Sequence, residues 1–428
     1  MKKKNIILLI VLVALFAVTI VCFFVLKPKQ TNNKTGVESN LQTNTPVEGV
    51  SWSNAIWLST YDKNNIQVIE VSDTTPGAMT TSWSYDGVTI GFTDNTVYLY
   101  TKKPIVVLSA ERMFADMPNL TQITGMENFD FSKCKNFKSM FQGCSKLSDL
   151  DLSFNSFESA ENMSYMFAEC PQLNQFKINN IELKKVTNTS YMFDGCVSLR
   201  VINMPDTPNV VNGERMFCGV GQSVDGGTKF NGTFNLPNCS NYNEMFMSTC
   251  FNSYQFIESM DVSNMTTAQG MFIQCAAKSL DLSRWNVSKL QTAEKMFCNI
   301  PYAKIINLNG WDCSSLTTCQ SMFEIASGTH EIILNWKNTE KIKNLNSMFE
   351  SCCSLKKIDL TCFNDLQVDN ADQMFLCDEW LTEIKCSGIT ADSSVEMFSH
   401  CPKLQGAITF DESKINANMA NTQGYFIN

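Results

Sequence analysis

The sequence predicts an α/β solenoid of about twelve helix-strand units, preceded by a β-rich cap and a transmembrane anchor. Met-Phe dipeptides recur at intervals of 23 to 29 residues, which is the spacing of a structural repeat. Within each interval the apolar residues change from a helical to a strand-like period. An apolar run near the N-terminus predicts the anchor. The dipeptides start at Met113, Met140, Met166, Met192, Met216, Met245, Met271, Met296, Met322, Met348, Met374 and Met397.

The first part of each unit has the apolar spacing of a short helix. Met163, Met166, Phe167 and Cys170 lie at i, i+3, i+4 and i+7, which predicts one buried helical face. Flexible Met and flat Phe side chains fill irregular space between a helix and a sheet. We therefore interpret the Met-Phe stripe as core rather than as a metal or ligand site.

A strand follows each predicted helix. Leu150 and Leu152 alternate with Asp151, which predicts two inward side chains and one outward side chain. Stacked units at about 4.8 Å would form a sheet roughly 55 Å long, large enough for a protein-sized ligand. The outward positions predict a binding column made of Asp151, Lys177, Asn203, Asp281, Asn307, Ile333, Asp359 and Lys385.

The repeat can be written Met-Phe-x-x-Cys-x-x-Leu-x-x-Leu-Asp-Leu-Ser, and it extends from about residue 113 to 410. It resembles the BspA-like leucine-rich-repeat surface proteins of the DUF285 type. The stretch from Trp52 to Leu108 resembles the β-rich leader of that family, and the stretch from Ala420 to Phe426 resembles its C-terminal tail. The resemblance implies a leucine-rich-repeat-like solenoid on a bacterial or protist surface.

Residues 1–29 are predicted to form a membrane anchor. The run from Ile6 to Leu26 contains 21 residues without a charge, which is long enough to span a bilayer. It is longer than the apolar region of a cleaved signal peptide, and it is not followed by the small residues of a cleavage site. We expect a single-pass protein of the cell membrane with its repeats outside the cell. The alternatives are a secreted protein and a lipoprotein modified at Cys22.

The predicted domains after the anchor differ in composition. Residues 30–49 form a polar, flexible linker, and residues 50–110 form the β-rich cap. Three runs in the cap have strand composition, Ile66–Val71, Val88–Phe92 and Val97–Tyr100. Residues 111–428 form the solenoid, whose first unit needs a cover for its exposed core.

The charge of the chain argues against nucleic acid as a partner. The chain has 33 basic and 42 acidic side chains, and five of the lysines lie in residues 1–30, so the remainder carries a net charge of −14. Affinity for nucleic acid comes largely from Lys and Arg that neutralise phosphates. Charged residues make up only 18% of the chain.

The 18 cysteines do not have the spacing of a metal or redox site. No Cys-x-x-Cys occurs, and His330 and His400 are the only histidines. We expect the recurring Cys to face the core and to serve the adjacent turn through its thiol, while disulfides between neighbouring units remain open. It lies three residues after Phe as Cys144, Cys170, Cys196, Cys275, Cys352 and Cys401, and it is displaced or missing in the other units.

No catalytic, cofactor or metal site is expected. Neither His lies in a motif for nucleophilic catalysis, and the pair Asp149 and Asp151 lies on an open strand surface rather than in a cleft. We therefore expect a non-catalytic adhesion or ligand-recognition protein with an extracellular protein or glycan partner, from a host or a matrix. The alternatives are a structural surface-layer or scaffolding role and, more distantly, a glycan-active enzyme.

Overall fold

The computed structural model describes residues 50–428 except 59–60, 75–78, 179–182, 205–206 and 233. In these residues the chain winds into a solenoid of about twelve coils, one for each Met-Phe dipeptide. The predicted anchor and linker lie outside the described residues. Within the described part, no helix has the length and apolar character needed to cross a membrane.

The N-terminal region is rich in strands. Its strands are β1 (Val50–Ser51), β2 (Val68–Ser72), β3 (Thr81–Tyr85), β4 (Val88–Thr93), β5 (Thr96–Tyr100), β6 (Ile105–Ser109), β7 (Gln122–Thr124) and β8 (Phe129–Asp130). A five-stranded sheet has the order β3-β4-β5-β2-β7, and β1, β6 and β8 form a three-stranded sheet. The helix α1 (Asn54–Trp57) follows β1. The three runs with strand composition correspond to β2, β4 and β5.

The first coil is covered by this region. Trp57 is fully buried, donates its indole N–H to the carbonyl oxygen of Met113 at 3.1 Å, and packs edge-on against Phe114. Strand β2 also pairs with β7 of the first coil, with Ile69 opposite Ile123. The exposed end of a repeat stack is therefore shielded from water by the β-rich region.

The coil strands form short parallel ladders. They are β9 (Asp149–Asp151), β10 (Gln175–Lys177), β11 (Val201–Asn203), β12 (Lys229–Asn231), β13 (Leu280–Asp281), β14 (Ile305–Asn307), β15 (Glu331–Ile333), β16 (Lys357–Asp359), β17 (Leu366–Asn370), β18 (Glu383–Lys385), β19 (Ile389–Ser393) and β20 (Phe426–Ile427). Four of the resulting sheets are β9-β10, β11-β12, β13-β14-β15 and β16-β18-β20, and β17 pairs with β19. In the coil that starts at Met245, α2 (Gln255–Glu258) takes the place of a strand.

The prediction of helix-strand units is wrong in its helical part. The stretch from Met163 to Cys170 consists of successive turns, with left-handed backbone at Tyr165 (φ 58) and Glu169 (φ 59). The N–H groups of Met163, Tyr165, Phe167 and Glu169 donate to carbonyls of the following coil at 2.8–2.9 Å. A helix would direct these groups to its own preceding turn, so bonding between coils replaces helical bonding.

The same backbone recurs in every coil. The residue before Met and the second residue after Phe have positive φ in all twelve, and most of them are not glycine. The first set is Arg112, Ser139, Tyr165, Tyr191, Arg215, Glu244, Gly270, Lys295, Ser321, Ser347, Gln373 and Glu396, and the second is Asp116, Gly143, Glu169, Gly195, Gly219, Ser248, Gln274, Asn299, Ile325, Ser351, Cys377 and His400.

The dipeptides form the core, as predicted. All twelve Phe side chains are buried and stack in one continuous column from Phe114 to Phe398, with ring centroids 5.4–5.9 Å apart. The Met side chains are buried beside them. At the C-terminal end, Tyr425 contacts Phe398 edge-on at 5.2 Å, so the tail covers the last ring.

A second ladder runs along the solenoid without a break. Four residues before Met, an Asn or Thr in ten coils, and a Ser in the first and last, forms a parallel bridge with its equivalent in the neighbouring coil. The Asn side chain also accepts a turn N–H, as when Asn162 accepts from Ser164 at 3.0 Å. The ladder joins Ser109, Asn136, Asn162, Asn188, Asn212, Asn241, Thr267, Thr292, Thr318, Asn344 and Asn370.

Candidate recognition surface

The outward side chains of the coil strands form a surface that we call the strand face. The structure places the predicted column here and brings its members together in groups. Lys177 lies opposite Asp151 in β9-β10, and Lys385 lies opposite Asp359 in β16-β18. Asp281, Asn307 and Ile333 follow one another in β13-β14-β15, and Asn203 lies opposite Asn231, a residue that the sequence analysis did not include.

Members of the column contact each other directly. Lys177 Nζ lies 3.5 Å from a carboxylate oxygen of Asp151, and Lys385 Nζ lies 3.3 Å from one of Asp359. The Nδ2 group of Asn307 donates to Asp281 at 3.0 Å. Ion pairs on an exposed surface contribute about 1 kcal/mol or less, so these contacts order the face more than they stabilise the fold.

The acidic members also hold the turn that follows each strand. Asp281 Oδ1 accepts the backbone N–H of Ser283 at 3.2 Å and its hydroxyl at 2.7 Å. Asp151 makes the same pair of bonds with Ser153. The bond from the Ser153 hydroxyl is the larger cause, and the bond from its backbone N–H the second, of a lowered pKa of Asp151. The recurring Asp-Leu-Ser is therefore a turn motif as well as part of the strand face.

In the three-residue coil strands, the first residue forms a second outward column. Gln175 donates to Asp149 at 2.6 Å, and Lys357 forms an ion pair with Glu383 at 2.7 Å. The sequence could have predicted this column, because its residues lie two positions before those of the predicted binding column and therefore point to the same side of the strand. Its remaining members with charged or polar side chains include Lys229 and Glu331.

A groove lies along a different side of the solenoid. Its volume is about 830 Å³, and six successive coils contribute to its lining. It is lined by Glu161, Lys184, Lys185, Thr187, Asn209, Val211, Asn238, Ser240, Asn264, Thr266 and Lys289. Most of the lining comes from a recurring triplet just before the Asn and Thr ladder, in which the first residue is polar and the middle residue, such as Val186 or Val210, is buried. That triplet is the sequence signal for the groove, and the sequence analysis did not use it.

Backbone bonds form the floor of the groove. The N–H of Val211 donates to the carbonyl of Thr187 at 2.9 Å, and the N–H groups of Ser240 and Thr266 continue this ladder at 3.1 and 2.9 Å. Side chains reinforce it, because Asn264 donates to the carbonyl of Pro237 at 2.8 Å. The lining is therefore held in one geometry along its length.

The cysteines of the described chain are free thiols, and most are buried. Burial raises the pKa of the Cys170 thiol to about 12, so the group stays protonated at neutral pH. Cys352 is buried while its neighbour Cys353 is exposed. Among the residues that the structure describes, no group of three His, Cys, Asp or Glu is arranged to hold a metal ion.

Comparison with known proteins identifies a family. The family model described as "Mycoplasma protein of unknown function, DUF285" matches residues 108–230, 222–336 and 300–410. A search of curated proteins found no similar sequence.

Solved structures that this chain resembles include the following two. One is a leucine-rich repeat protein from Bacteroides ovatus, with 15% identity, coverage of 79% of this chain and 86% of that one, and a TM-score of 0.34. The other is a leucine rich cell surface protein from Faecalibacterium prausnitzii, with 15% identity, coverage of 82% and 99%, and a TM-score of 0.30. The family resemblance inferred from the repeat is confirmed, and the chain belongs to the DUF285 family.

Proposed function

We propose that this chain is a cell-surface adhesion or recognition protein that binds an extracellular protein or glycan through its strand face, without catalysis of its own. The observation that carries the proposal is the register of the coil strands, which repeats outward polar side chains along the solenoid. A rigid, repeating surface of this kind suits a large ligand, because each coil adds contacts at a fixed step.

The net charge of the chain indicates what kind of partner would gain in association rate. The part of the chain after residue 30 carries more acidic than basic side chains. A partner that presents basic residues would associate faster, and the effect would weaken with salt. This long-range contribution persists although neighbouring charges such as Lys177 and Asp151 contact each other.

The strand-face proposal is tested with charge variants that preserve the turns. Asp281→Asn and Asp359→Asn keep an oxygen acceptor for Ser283 and Thr361 and remove the charge. Replacement of these residues by Lys would also remove the side-chain oxygen that accepts the turn N–H. The matched control is Glu169→Lys on the turn side of a coil, where the side chain is exposed.

The measurement uses the full chain and a defined panel of purified matrix proteins and glycans at two salt concentrations. We expect the double Asn variant to lower the association rate with a partner from the panel, and the Glu169 variant to bind like the original chain. If the Glu169 variant loses binding and the strand-face variant does not, the turn side or the β-rich region becomes the binding surface.

The structural alternative makes a different prediction. The strand face holds many contacts within the protein, such as those of Lys385 with Asp359 and Lys357 with Glu383, which also suits a scaffold without a specific ligand. Failure of every panel member to bind, together with ordered self-assembly of the full chain, would favour a surface-layer role. A hydrolase panel on glycans addresses the enzyme alternative.

The membrane location is part of the proposal. We propose that Ile6–Leu26 stays in the membrane as a single-pass anchor and that residues 30–49 act as a linker. N-terminal sequencing of protein from the membrane fraction tests this, with an intact N-terminus as the expected result. A start near Val18 would indicate a secreted protein, and a lipid on Cys22 would indicate a lipoprotein.

A further inference from the structure

The groove differs in charge from the rest of the chain. Among the described residues, three lysines and one acid line it, whereas the chain as a whole has more acids than bases. The acid, Glu161, forms an ion pair with Lys135 at 2.8 Å, and Lys135 does not belong to the lining. The groove therefore attracts anions on a chain whose net charge is negative.

Two of the lysines lie far apart along the groove. Lys185 and Lys289 occupy the same position of the repeat, four coils apart, which is roughly 20 Å at about 4.8 Å per coil. Lys289 Nζ is held by Asn264 Oδ1 at 2.6 Å. Among the described residues, no carboxylate lies within ion-pair distance of Lys185 or Lys289. Both ammonium groups can therefore bind an anionic ligand.

The middle of the groove presents hydroxyl and amide groups in fixed orientations. The hydroxyls of Thr187 and Thr266 donate to the carbonyls of Glu161 and Ser240, each at 3.2 Å. Because the hydroxyl protons point inward, the oxygen lone pairs face the groove and accept hydrogen bonds. A ligand rich in hydroxyl donors complements these acceptors.

The same observations argue against two other extended ligands. A peptide cannot add to the groove as a strand, since the ladder that includes Val211 and Ser240 already uses the backbone groups. Single-stranded nucleic acid binds largely by stacking its bases on aromatic side chains, and the described residues that line the groove include none. A polymer of sugars with carboxylate groups has the hydroxyl donors and the charges that the lining complements.

We propose that the groove from Lys185 to Lys289 binds a segment of an acidic polysaccharide, whose carboxylates contact the two lysines and whose hydroxyls donate to the side chains between them. This site lies apart from the strand face, so its failure in a test leaves the function proposed above standing. The site is open along the solenoid axis, so a long chain can enter it from the side rather than by its end.

The test measures binding of the full chain, in detergent, to polygalacturonate and to neutral dextran by affinity electrophoresis. The variant is Lys185→Glu with Lys289→Glu. The matched control is Lys341→Glu, because Lys341 is exposed, occupies the same position of the repeat, and lies two coils beyond the groove. The milder variant Lys185→Gln with Lys289→Gln serves if the charge reversal disturbs folding, which circular dichroism would show.

We expect the original chain to bind polygalacturonate and not dextran, with an affinity that falls as salt rises. The double variants should lose affinity by about tenfold or more, because each removes two charge-assisted contacts, and the Lys341 variant should not change. Absence of polygalacturonate binding, equal binding of dextran, or an equal loss in the Lys341 variant would overturn the proposal. Equally tight binding of poly-glutamate would also overturn it, because a polymer without sugar hydroxyls would then bind as well.

Discussion

The thiol of Cys170 donates a hydrogen bond of 3.1 Å to the carbonyl oxygen of Phe141 in the preceding coil. Cys196 makes the equivalent bond to Phe167, and Cys144, Cys352 and Cys401 make it to the Phe carbonyls before them. In these five coils the recurring Cys is therefore a small buried donor that joins its coil to the preceding one. This structural role accounts for a thiol at this position.

Removal of this donor should cost a small, local amount of stability. Cys170→Ala keeps a small apolar side chain but leaves one lone pair of the Phe141 carbonyl without its partner, so we expect a loss of about 1 kcal/mol. Chemical denaturation followed by fluorescence measures it. Cys353→Ala is the control, because Cys353 is exposed and should change stability little. An equal effect of the two variants would contradict a role for the thiol bond.

Asp378 occupies the position of the recurring Cys in its coil, three residues after Phe375. It is fully buried, its Oδ1 accepts the N–H of Cys352 at 2.7 Å, and its Oδ2 has no hydrogen-bond partner among the described residues. Burial raises the pKa of Asp378 well above its ordinary value, while the Cys352 bond opposes the shift. In the neutral form, Oδ2 carries a proton as the thiol does in other coils.

This acid makes stability depend on pH in a defined direction. Below the unfolded pKa of Asp, about 3.9, both states are protonated and the contribution is constant. Above it the unfolded chain loses its proton first, so stability falls as pH rises, by up to about 1.4 kcal/mol per pH unit until the folded group ionises. Asp378→Asn should remove this slope, and denaturation of both proteins between pH 4 and 8 measures the difference. Parallel curves would show that Asp378 is charged in the fold.

The left-handed turn positions should tolerate Gly better than Ala. Gly195 has φ 76, and an added Cβ would meet only Glu169 atoms at 3.8 Å, an ordinary contact distance. Gly195→Ala should therefore cost about 1 to 2 kcal/mol through backbone strain alone. The control is Gly388→Ala, where no left-handed backbone occurs and the nearest atom lies at 3.6 Å. Denaturation midpoints compare the two, and an equal loss would contradict the strain.

The Phe column should transmit damage only to adjacent coils. Phe167 stacks on Phe141 and Phe193, each with ring centroids 5.5 Å apart. Phe167→Ala should cost about 3 to 5 kcal/mol locally, since the ring leaves a cavity in a packed core. Hydrogen exchange should increase in the coils from about residue 140 to 200, because stability in a repeat stack is set by nearest neighbours.

Two results would test that locality. Phe154→Ala should have no such effect, because Phe154 is 71% exposed. Uniform loosening of the whole described chain in the Phe167 variant would contradict a linear array of coils.

Spacing along the chain was sufficient to predict the solenoid, the number of coils, the buried Met-Phe core and the strands that carry the column from Asp151 to Lys385. These features depend on which residues are apolar and how far apart they lie, and Phe167 is apolar whatever the backbone does. The same spacing misidentified the backbone around it. Successive turns with left-handed residues such as Tyr165 and Glu169 place the same side chains inward as a helix would.

The tertiary structure decided the rest, because the deciding bonds join residues about one repeat apart. The N–H of Tyr165 donates to the carbonyl of Ser190, and this partner exists only when the coils stack. The grouping of strands into short sheets and the groove between Lys185 and Lys289 likewise depend on how neighbouring coils pack. A repeat sequence determines which side chains leave water, whereas contacts between coils determine where the backbone groups find their hydrogen bonds.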